Sequence, residues 1–155
     1  MMRRTLLCLA LLGLTSPALG AGWVAQMEED EGGAVMTASV EAPADGDVTP
    51  ALRLTCAGDA GLGLRYQMAA ADGAPGSEGE FLFENESTQA RLHMAYEDMD
   101  GAFAAYFPPA DPVVELLETG AVVYVSESSG NYPAQSFSLK GSSRAIAKLL
   151  STCAS

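Results

Sequence analysis

Residues 51–68 read ALRLTCAGDAGLGLRYQM. Leu52, Leu54 and Cys56 alternate with Arg53, Thr55 and Ala57, and Leu62, Leu64, Tyr66 and Met68 alternate with Gly63, Arg65 and Gln67. A period of two puts one set of side chains on each face of a strand, whereas a helix would gather its apolar residues every three or four positions. The intervening AGDAG has turn composition. The stretch is predicted to be a hairpin of strands 50–58 and 61–70, with Cys56 pointing into the core beside Leu52 and Leu54.

Working outward, strand patterns recur at 22–28, 33–41, 79–85, 89–96, 101–107, 121–127 and 133–139. EEDEGG at 28–33 reads as a charged turn, and the glycine-rich stretch 70–79 as a flexible loop. Two helices are predicted. In DPVVELLETG, Asp111 is placed to cap, Pro112 takes the first helical position and Gly120 follows the last. A second helix follows Gly141, with Ser142 or Ser143 as its cap, and its Ile146, Leu149, Leu150 and Cys153 share one face. The expected fold is mainly β (α+β): an antiparallel β-sandwich or curved sheet with two helices, the C-terminal one disulfide-linked to a strand.

The N-terminus, MMRRTLLCLALLGLTSPALG, has two arginines, an apolar run from Leu6 to Leu14, and small residues at Ala18 and Gly20. These are the parts of a secretory signal peptide, residues 1–20, with cleavage before Ala21. The remaining 21–155 suit a single β-rich exported domain. Cys8 falls within the removed segment, leaving Cys56 and Cys153 as a pair that an oxidising compartment would join. The expected location is periplasmic or secreted.

The chain has 20 acidic and 8 basic residues, a formal charge of −12. Loss of Arg3 and Arg4 with the signal peptide would take it to −14. Such a surface repels polyanions and so argues against nucleic acid as a partner. No later apolar run reaches membrane-spanning length. Half of the mature basic residues, Lys140, Arg144 and Lys148, fall four apart opposite Ile146 and Cys153. They form either a solvated helix face or a docking face for an acidic protein partner.

Residue types that carry chemistry are sparse. His93 is the one histidine, and no Gly-x-Ser-x-Gly or Ser-x-x-Lys occurs. Alternation with Leu92 and Met94 turns His93 outward. Asp45 and Asp47 give Asp-x-Asp, but Thr49 and Pro50 occupy the next places of a calcium loop. Glu97, Asp98 and Asp100 are the remaining candidates for a weak calcium site, and His93, Met94 and Met68 for a soft-metal site. No cofactor is expected.

Trp23, the strand Leu52-Arg53-Leu54-Thr55-Cys56 and the closing FSLKGSSRAIAKLLSTC form a pattern carried by Phe137, Leu139, Gly141, Ala145, Ile146, Leu149 and Cys153. In this the chain resembles the invasion-associated locus B family and certain periplasmic accessory proteins of type VI secretion. The resemblance covers the two ends of the mature domain. Those invasion-associated proteins usually carry more cysteines, and the secretion accessories a charged strand where this chain has FLFENES. The resemblance implies a β-rich periplasmic domain without known catalysis, acting at the envelope or a host interface. The expectation is thus a non-enzymatic envelope or interaction protein; the alternative is a small periplasmic metal-binding protein or an unrecognised hydrolase.

Overall fold

The computed structural model describes residues 21–30, 32–44, 46–68 and 73–153. The expected signal peptide, Asp45 and positions 70–72 of the expected 70–79 loop lie outside the described residues; the end of that loop, from Glu78, belongs to a strand. Nine strands form one antiparallel sheet: β1 (Val24–Asp30), β2 (Gly33–Glu41), β3 (Ala51–Cys56), β4 (Leu62–Gln67), β5 (Glu78–Glu84), β6 (Gln89–Glu97), β7 (Ala102–Phe107), β8 (Val122–Glu127) and β9 (Gln135–Ser138). Their spatial order is β1-β2-β3-β4-β7-β6-β5-β8-β9. Helices α1 (Pro112–Glu118) and α2 (Ser142–Cys153) complete the fold. The 51–68 hairpin forms as expected, with Leu54 opposite Leu64 and Leu52 opposite Tyr66.

The sheet is rolled rather than flat. The Tyr66 ring on β4 meets Phe81 on β5 at 5.8 Å and Phe137 on β9 at 6.0 Å, both edge to face. Strands lie about 4.8 Å apart, so three steps from β4 to β5 would span about 14 Å in a flat sheet, and five steps to β9 about 24 Å. Only curvature brings these side chains together. The bend coincides with β6 and β7, which pair over Ala95–Glu97 and Ala102–Ala104 alone. Beyond the two edge strands, the Trp23 N–H donates to the Lys140 carbonyl at 2.9 Å, joining the chain ahead of β1 to the chain after β9. The helices bridge the halves: α2 packs on β1, β2 and β3, α1 on β5 and β6, and the two touch each other.

One apolar cluster fills the roll, including Trp23, Tyr66, Phe81, Phe83, Phe103 and Phe137. Burying one such aromatic side chain contributes on the order of 2–3 kcal/mol. Helix α1 contributes Val113, Val114, Leu116 and Leu117. Its caps are those expected: Asp111 Oδ1 accepts from the Val113 N–H at 3.0 Å, and Gly120 adopts φ +87° after the last turn. A side chain at Gly120 would be strained by that φ and would meet Glu86. The loop between β5 and β6 finishes the helix. Asn85 Nδ2 donates to the carbonyls of Leu116 and Thr119, while its Oδ1 accepts from the N–H groups of Ser87 and Thr88.

Cys56 and Cys153 form the expected disulfide across a separation of 97 residues, with their Cα atoms 5.4 Å apart. In the chain-entropy account a loop of that size is stabilised by roughly 4–5 kcal/mol. The expectation that Cys56 points into the core is corrected. It shares the phase of Leu52 and Leu54 and stands opposite the buried Leu62, but as the last residue of β3 it is exposed. Cys153 packs partly buried against the core margin. The staple therefore fastens the rim of the core.

Candidate functional site

Helix α2 buries Ala145, Ile146 and Leu149 and leaves Arg144 and Lys148 exposed, as the periodicity demands. Its start differs from the expectation. The Gly141 carbonyl accepts from the Ala145 N–H at 3.1 Å, so Gly141 holds the cap position. The Ser142 hydroxyl instead donates back to the Leu139 carbonyl at 2.8 Å. Lys140 precedes the helix, in the link from β9. The groove between helix and edge strand is lined by Trp23, Ala25, Arg144 and Lys148. Lys148 Nζ donates to the Ala25 carbonyl at 3.0 Å.

Among the described residues these three cations, like Arg53, have no carboxylate within ion-pair distance, whereas Arg65 pairs with Glu97 and Asp100, and Arg91 with Glu80. They differ from Arg53 in that they gather at one exposed margin. In a chain with 20 acidic residues, cations without an acidic neighbour keep their charge available for an outside group. The groove can thus offer Arg144 and Lys148, with the exposed Lys140 nearby in the chain ahead of the helix, as charge-assisted donors to carboxylates.

The calcium candidates are partly brought together, around a cation of the protein's own. Arg65 Nε lies 3.0 Å from Glu97 Oε2 and 2.8 Å from Asp100 Oδ2, and Nη2 also reaches Glu97 at 3.0 Å. Alanine at 104, opposite Arg65 on β7, leaves room for the guanidinium to cross. Asp98 is exposed and takes no part. Tyr106 donates from its hydroxyl to Glu97 Oε1 at 2.6 Å, and that hydrogen bond, with some burial, pushes its phenol above the ordinary value. Its ring lies over Gly63, where an added Cβ would stand 3.1 Å from it. Nothing in the local pattern of β4 announces this cluster, because its carboxylates come from 32 and 35 residues away.

Beside it, on the outer face of β1–β4, is a cleft of about 180 Å³ lined by Glu28, Thr37, Arg53, Thr55, Arg65 and Gln67 among others. Arg53 Nη1 donates to Gln67 Oε1 at 3.1 Å. The lining carries both signs of charge.

The soft-metal candidates are separated. Met94 and Met68 are buried, whereas His93 is exposed, as its alternation predicts, with Nε2 3.1 Å from Glu78 Oε2. Among the described residues no group of three or more histidine, cysteine, aspartate or glutamate side chains is arranged to hold a metal ion. Among them, too, no helix is long and apolar enough to cross a membrane. No family model, curated protein or solved structure matches the chain.

Proposed function

We propose that the chain is a non-enzymatic protein of the periplasm or cell exterior whose face of Lys140, Arg144 and Lys148 docks an acidic protein partner. The observation that carries this reading is the clustering: half of the mature cations gather at one exposed margin, where none of them has an ion pair among the described residues. The disulfide supports an oxidising location, and the resemblance in the two ends of the domain agrees with an envelope role. The docking is electrostatic, so it depends on the sign of these residues and on little else in the fold.

The test is capture from envelope extracts by the disulfide-intact mature domain, compared with the triple variant Lys140→Glu, Arg144→Glu and Lys148→Glu. The wild type retains a partner that the folded variant loses. Equal capture by both would refute the docking face.

A further inference from the structure

The free edge of β1 carries an inference that goes beyond the helix face. In β1 the residues alternate between a hydrogen-bonding edge toward β2 and one away from it. The Trp23 N–H reaches Lys140 and the Ala25 carbonyl receives Lys148, so the odd-numbered residues present their backbone outward. Among the described residues the Ala25 N–H and both backbone groups of Met27 and Glu29 have no partner within the chain. Helix α2 starts beside Trp23 and crosses away to Cys56 on β3. The distal part of the β1–β2 ribbon therefore projects past its cover, and Met27, on the same face as the core-packed Ala25, is 54 % exposed. Natural edge strands are usually blunted by proline, a bulge or charge, and the charge here is Glu28-Glu29-Asp30, which a partner strand with a basic margin would neutralise. From Met27 to Glu29 this one has no proline and keeps unbroken register with β2.

We infer that two copies of the chain pair through this edge, β1 against β1 and antiparallel about Met27, into one continuous sheet. The charges of the strand select that occupant. Its first half lies beside Lys148, whose ammonium reaches the strand itself, and its second half reads Glu28-Glu29-Asp30. An antiparallel copy sets the acidic half of each strand against the basic margin of the other, while a parallel one would set like against like. The register follows from what is already engaged. Trp23 is taken by Lys140 and the hairpin turn follows Asp30, leaving 25–29, whose midpoint is Met27. Met27 then opposes Met27 of the second copy, and Ala25 opposes Glu29. Directly opposed residues share a face, so Lys148, now at the Ala25 carbonyl, comes beside Glu29 of the second copy. The copies repel at long range through their net charge, but screening confines that repulsion to about 8 Å at physiological ionic strength.

Sedimentation equilibrium of the disulfide-intact mature chain tests the pairing. The expected result is a concentration-dependent monomer–dimer equilibrium. Met27→Pro removes an N–H that faces off the edge, where strands tolerate proline, so it should abolish the dimer with unchanged circular dichroism. Should that variant misfold, the charge swap decides. Glu29→Lys and Lys148→Glu each weaken the dimer several-fold, and the two together restore it. Arg144→Glu should leave the dimer and impair partner capture, separating this edge from the docking face. A wild type that stays monomeric at its highest soluble concentration, a folded Met27→Pro that still dimerises, or a double swap without recovery would overturn the inference.

Discussion

Asn85 Nδ2 lies 3.0 Å from the Leu116 carbonyl oxygen, tying the β5–β6 loop to the end of α1. The same nitrogen reaches the Thr119 carbonyl, so one side chain satisfies two acceptors left over by the final turn. Asn85→Ala should cost about 1–2 kcal/mol, as two neutral hydrogen bonds and a turn are lost. Asn85→Asp keeps the turn acceptor but has no donor and sets a negative charge against carbonyl oxygens, so it should be no better than alanine. Urea midpoints of the three proteins check this, and an aspartate variant as stable as wild type would contradict it.

The rim disulfide makes a second prediction. Cys56→Ala should lower stability by about 2–5 kcal/mol, typical for a small exported domain. Because Cys56 is exposed, the loss should come from the cross-link rather than from a cavity, so Cys56→Ser should match Cys56→Ala. Reduced wild type should resemble both variants in its denaturation midpoint.

Much of this framework is legible in local pattern. Strand alternation places every strand in 51–68, and the Asp111-Pro112 start and Gly120 end delimit α1 because caps are local chemistry. The charged turn expected at 28–33 is shorter than its composition suggests: β1 runs on to Asp30, which pairs with Gly33. Three other features escape a local reading. The bend at β6–β7 depends on which strands fail to pair along their length. The exposure of Cys56 depends on how far the core extends beneath the last residue of β3. The clusters around Arg65 and Asn85 join residues more than 30 positions apart. The basic margin is legible as spacing, but its want of ion pairs among the described residues depends on where the other carboxylates go.

Glu127 should shape the acid limb of stability. The Ser129 hydroxyl at 2.6 Å, with the backbone N–H groups of Ser129 and Asn131, holds its carboxyl below the ordinary value of 4.5. The folded state thus binds this proton more weakly than the unfolded one. Its contribution is present above the unfolded value and is lost as pH falls through the lowered one. Glu127→Gln should be less stable at neutral pH and lose less on acidification below about 4.5. Parallel pH profiles for the two proteins would contradict this.

Arg65 already occupies the space between Glu97 and Asp100, so calcium should not shift the melting temperature of the wild type. Arg65→Gln removes the guanidinium and leaves two carboxylates facing each other. That variant should be destabilised by about 1–3 kcal/mol and should recover part of the loss on addition of calcium. Calcium stabilising wild type and variant alike would show that the cation binds elsewhere.

The docking face is tested most directly by the association rate of the captured partner, measured against ionic strength. Steering by Lys140, Arg144 and Lys148 should make the wild-type rate fall as salt screens the three cations. The triple reversal to glutamate should bind more slowly at low salt, and its rate should fall less, or rise, as salt is added. Wild type and triple reversal showing the same rate and the same salt dependence would contradict the account.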